Sequence, residues 1–114
     1  MSFAEQAAKA AGIALARLGG PAKFKRRDSV TKTDVVALLN RSVQRIAADG
    51  EPYLQAEVTM LVSAVGAVGR GDQITTYPTE ADRTAGTNGE AWSVDAPSKN
   101  NGYTVAVFVI PDRP

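Results

Sequence analysis

The chain has no cysteine and no histidine. Disulfide frameworks, thiolate nucleophiles, zinc sites with Cys or His ligands and histidine acid–base pairs are therefore all excluded. Aromatic residues make up only 6%, and a platform for stacking single-stranded nucleic acid would be expected to present several of them together. No apolar run approaches the roughly 18 residues that span a bilayer. The longest candidate, Val58 to Val68, is interrupted by Thr59, Ser63 and Gly66. The first residues, Met-Ser-Phe-Ala-Glu, lack a basic lead-in, and Lys9 breaks the alanine-rich stretch that follows. They make a poor secretory signal, which predicts a protein of a cytoplasm or of something assembled there.

What is present is ordinary for a folded domain. With 114 residues, 44% of them apolar and 22% charged, the chain is sized for one modest core and is too hydrophobic for wholesale disorder. Its charge is unevenly spread. Residues 1 to 45 hold nine Lys or Arg against three acids, a balance of +6, and the remainder holds four against nine, a balance of −5. Such asymmetry fits head-to-tail stacking or contact with a charged partner; a solvated surface is the plainer alternative.

Residues 2 to 18 read as a helix, with Ser2 as a cap, Glu5 three positions on, and Gly19-Gly20-Pro21 as the stop. Its apolar face, Phe3, Ala7, Ala10, Ala14 and Leu18, is mostly small, so residues 1–21 are expected to form a helical docking arm or a segment that orders only on assembly, and residues 22–114 a β-domain. Ala22 to Arg27 alternates like a charged edge strand. From Asp34 to Ala47 two readings compete. Val35, Leu39, Val43 and Ile46 share a helical face, yet the β-branched content and the following Asp49-Gly50 turn favour a strand. Tyr53 to Val65 reads as a second extended run and Gly66 to Asp72 as a loop. Gln73 to Tyr77 follows as a short strand, Pro78 to Glu90 as a long mobile loop, Ala91 to Asp95 as a strand, Ala96 to Gly102 as a hairpin turn, and Tyr103 to Ile110 as the strongest strand. The expected fold is mainly β: a small antiparallel β-sandwich or barrel with an N-terminal helix.

Little in the chain resembles catalytic machinery. Gly66 to Gly71 lacks the Lys-Ser/Thr of a phosphate loop, and a strand follows it where such a loop needs a helix. Arg70-Gly71-Asp72 spells an adhesion tripeptide but fits a tight turn. Glu80 and Asp82 lack the ligand spacing of a metal loop, and Ser98-Lys99 has no identifiable oxyanion partner. No catalytic, cofactor or metal residue is expected. Trp92, in an alternating strand, is expected to anchor the sheet or core. The candidate interface residues are the basic set Lys23, Lys25, Arg26 and Arg27, and Thr79, Glu80, Asp82, Arg83, Thr84, Thr87 and Asn88 of the long loop. Phe24 is the only aromatic within the basic set, which favours a protein interface or a solvated edge over nucleic acid.

A basic strand and turn, a strand leading to the Asp49-Gly50 hairpin, Gly71-Asp72-Gln73-Ile74, a loop, Trp92-Ser93-Val94 and a final hydrophobic strand follow one another. This order, from Ala22 to Pro111, resembles the small β-sandwich head–tail joining proteins of tailed bacteriophages, the head-completion or neck connectors. The resemblance implies a non-enzymatic ring in the virion neck, between the portal or adaptor and the tail, with DNA passing through without sequence-specific binding. It implies no cofactor and no membrane. A small nucleic-acid-binding β-barrel and a tail or tail-terminator protein remain alternatives.

Overall fold

A computed structural model describes residues 3–112. The expected Ser2 cap and the Phe3 side chain lie outside what it describes. A helix α1 (Phe3–Leu18) leads into six strands: β1 (Gly20–Lys25), β2 (Lys32–Ile46), β3 (Pro52–Leu61), β4 (Gln73–Thr76), β5 (Glu90–Asn100) and β6 (Thr104–Pro111). Two short helices, α2 (Val62–Val65) and α3 (Glu80–Ala85), flank β4. All neighbouring strands run antiparallel in the order β1-β2-β3-β6-β5-β4, and β4 pairs back with β1 to close a barrel.

Period-2 alternation decides what lines the barrel. Ala22 and Phe24, Val35 and Ala37, Ala56, Val58 and Met60, Ile74, Trp92 and Val94, and Val105, Val107 and Val109 point inward and are buried. The stretch that admits either a helix or a strand is strand β2. Inward Val35 and Ala37 are buried while outward Val36 is exposed, an alternation that a helix could not use here.

Several expected boundaries shift, each for a visible reason. The predicted edge strand is not an edge, because β1 pairs with β2 on one side and β4 on the other. The second extended run stops at Leu61. Val62–Val65 then makes one helical turn ended by Gly66 at φ 66°, which tucks Val65 into the core. The strand expected to finish at Asp95 continues to Asn100 through Pro97, which sits between two register shifts against β6. Such bulged positions tolerate a residue without an N–H. The turn is Asn101–Tyr103, where the Asn101 side chain accepts from the N–H groups of Tyr103 and Thr104, both at 2.9 Å.

Helix α1 rests against β2 and β3. The expected face of Ala10, Ala14 and Leu18 is exposed, and among the described side chains of the helix Leu15 is the buried one. Gly19 joins the helix to β1 in close quarters. A Cβ there would stand 2.8 Å from both the Leu15 carbonyl oxygen and Val36 Cγ1, so only glycine lets the chain turn this tightly into β1.

Candidate functional site

The two ends of the barrel differ. One is plugged by α2, the loop 66–72 and the β1–β2 turn, tied together by Asp72 and Arg26. Asp72 is the one buried acidic side chain among the described residues, at 6% exposure. Its carboxylate accepts from the backbone N–H of Arg27 and of Gly69, each at 2.8 Å. Arg26 donates to the Val65 and Ala67 carbonyl oxygens, lies 4.0 Å from Asp72 and stacks over Phe24 with its guanidinium carbon 5.4 Å from the ring centre. Asp72 is therefore engaged within the fold. The adhesion reading of Arg70-Gly71-Asp72, which needs a free carboxylate, does not fit.

The same turn joins the two halves of the motif that the sequence singles out. Gly71 N–H donates to the Val94 carbonyl at 3.0 Å, and Val94 N–H donates to the Asp72 carbonyl at 2.8 Å. Ile74 is opposite Trp92 in the β4–β5 ladder. Trp92 is buried as expected of a core anchor.

The other end is an open rim. Arg41 from β2 and Glu90 from β5 form a two-pronged ion pair across it, with one N–O distance of 3.1 Å. The Arg41 guanidinium carbon also lies 5.6 Å from the centre of the Trp92 ring below. This pairing raises the Arg41 pKa above its ordinary value, chiefly through the side-chain hydrogen bond to Glu90 and then through its charge. Two grooves, more apolar than polar in their lining, open on either side of the bridge. One is lined by Leu18, Pro21, Leu38, Tyr77 and Pro78, the other by Tyr53, Leu54, Trp92, Ile110 and Pro111, and Arg41 borders both.

The second groove exists because β3 and β6 part company at the rim. Their pairing ends at Ala56–Val109, while β3 stays paired to β2 as far as Pro52–Ile46. The β2–β3 hairpin thus runs on past the barrel. A register shift between Asn40 and Val43 marks where it leaves. One hairpin face is held down: Arg45 donates to Gln55 at 2.6 Å and lies 4.0 Å from the Phe108 ring centre, and Gln55 donates to Asp95 at 3.0 Å. The other carries Gln44, Ile46, Pro52 and Leu54, all exposed.

The candidate interface residues fall into different environments. Lys23 and Lys25 project from the outer face of β1, opposite Asp34 and Lys32 of β2. Arg26 and Arg27 belong to the plugged end, where Arg26 is engaged with backbone oxygens. Lys25, Arg27, Lys32 and Arg70 make that end basic, whereas the hairpin turn beyond the open rim carries Asp49 and Glu51.

The long loop contains α3 and is more ordered than the sequence suggests. Thr79 caps the helix by accepting from Asp82 N–H at 3.1 Å. The Asp82 carboxylate accepts from Thr79, Thr87 and Asn88. These bonds, led by the one from Asn88, lower the Asp82 pKa. Their contribution is complete above the ordinary aspartate value and is lost as pH falls through the lowered one. Thr84 donates to the Glu80 carbonyl at 3.1 Å. Arg83 is drawn under the segment: it donates to the Val35 carbonyl at 2.9 Å, pairs with Glu80 and approaches Asp34 at 4.0 Å. The two candidate groups approach each other along β1 through Arg83, which reaches the Ala22 carbonyl at 3.5 Å and Asp34, the register partner of Lys23, at 4.0 Å.

Among the described residues no group of three or more acidic side chains is placed to hold a metal ion, and no helix is long and apolar enough to cross a membrane. No family model matches the chain, and no curated protein does.

Sequence reasoning missed the hairpin's apolar face and the Arg41–Glu90 bridge. The face had a signal, because Gln44 and Ile46 on one side of the turn and Pro52 and Leu54 on the other fall on one face by alternation. The bridge joins residues 49 positions apart and had none.

Proposed function

We propose that the protein is a structural component of a tailed bacteriophage or phage-derived particle, forming a ring at the head–tail interface around the DNA channel. The observation that carries this reading is an arm and a hairpin attached to a closed barrel. Closure removes free edges from the body of the barrel, so contacts with neighbours fall to the helix, the projecting hairpin and the grooves beside them. The interlocked Gly71–Ile74 and Trp92–Val94 segments support the resemblance to the joining proteins, since two motifs distant in sequence form one structural unit. The protein acts by shape and charge between portal or adaptor and tail, in the virion neck, after assembly in the host cytoplasm. It is non-enzymatic in this role and takes no cofactor.

A nucleic-acid-binding barrel is the second reading, favoured by the cations at the plugged end. One variant separates the two. Lys25, Lys32 and Arg70 are not part of the Asp72 network, so changing all three to Glu should leave the fold intact. In extracts that lack the protein and accumulate filled heads and free tails, adding wild-type protein should restore joining. The triple variant should join on the order of tenfold more slowly at low salt, because paired charges chiefly set association rate. The nucleic-acid reading expects undiminished joining and loss of binding to random DNA.

A further inference from the structure

We propose that the exposed hairpin face, Ile46 and Leu54, docks into the Leu18–Leu38 groove of a second copy of this chain. The inference rests on the ring-forming part of the reading above and names the surfaces that would form it. The inward face of β3 is buried at Ala56, Val58 and Met60, and its next member outward, Leu54, is 67% exposed beyond the rim. Ile46 on the same face is 65% exposed. An apolar strand face that continues past its own core is unpartnered within one copy. The Leu18 groove lies on the other side of the Arg41–Glu90 bridge, and Leu18 itself is 68% exposed.

The occupant follows from chemistry and arrangement. The hairpin turn brings Asp49 and Glu51 with it, while Arg17 directly precedes the groove residue Leu18 in the last turn of α1, and the groove's own Glu90 is already paired with Arg41. Acidic tip and basic flank are complementary. The two surfaces occupy different places on one molecule, so their contact is heterologous: each copy gives a hairpin to one neighbour and receives one from the other. Such contacts build rings when the rotation closes. The apolar part of the contact rests on a few side chains, so isolated protein is expected to be monomeric or weakly associating until neighbouring rings hold it.

The absence of cysteine permits a clean test by oxidative cross-linking of full-length protein at high concentration. Leu18→Cys and Leu54→Cys alter exposed positions, and circular dichroism should match wild type for both. Each single variant should remain monomeric on non-reducing gels, their mixture should give heterodimers, and the double variant should give a ladder beyond dimer. Dimers formed by Leu54→Cys alone would mean a symmetric contact and would overturn the proposal. So would a double variant that stays monomeric or closes a disulfide within one chain. A failed ladder from a protein that still restores head–tail joining would overturn this interface while leaving the joining role standing.

Discussion

Replacing Asp72 with alanine is expected to lower stability by about 3–5 kcal/mol, because two charge-assisted hydrogen bonds, each contributing roughly 1.5–3 kcal/mol, disappear together. The N–H groups of Arg27 and Gly69 lose the carboxylate that each approaches at 2.8 Å, and Arg26 loses the anion 4.0 Å away. The β1–β2 turn and loop 66–72 would then be joined mainly through Arg26 and the Val65 and Ala67 carbonyls. Asp72→Asn keeps one acceptor oxygen but turns an amide toward the second N–H, so it should cost roughly half as much. Urea denaturation followed by Trp92 fluorescence measures both. A cost below about 1 kcal/mol for the alanine variant, within the range of an ordinary surface change, would mean that Asp72 does not tie this end of the barrel.

Substituting a short glycine–serine linker for Thr79–Asn88 is expected to destabilise the fold by about 2–4 kcal/mol. A charged donor to a buried carbonyl contributes about 1.5–3 kcal/mol, and the substitution removes the Arg83 bond to Val35 along with the cover that α3 gives β1. Composition alone suggests the opposite, a polar loop that can be shortened without loss of stability. Thermal melts decide between them. An unchanged midpoint would show that Arg83 and α3 lie on the barrel without supporting it.

The strands were legible where β-branched and apolar residues ran together, as in β6, or where a turn led into a short β-rich segment, as in β4. They were legible because one face of each must be buried. Barrel closure was not, since pairing of β4 with β1 depends on contacts some 50 residues apart that leave no local mark. Pro97 concealed the second half of β5: proline reads as a turn, and only the register shifts on either side make room for it in a strand. The site followed the same rule. Composition located the basic residues, but not the division between Lys25, on the outer face, and Arg26, which is bound to carbonyls of the plugged end. For Thr79 to Asn88 the polar content was plain. The cap at Thr79 and the bonds around Asp82 use the very residue types that make a sequence look like an unstructured loop.

The central claim, a ring at the head–tail interface, is tested most directly by electron cryomicroscopy of particles carrying this protein fused at Pro114 to a small globular tag. The account predicts extra density repeated around the axis at the neck, between portal or adaptor and tail, in every joined particle. Tag density on the capsid shell, along the tail or at the tail tip, or joined particles with none, would contradict it.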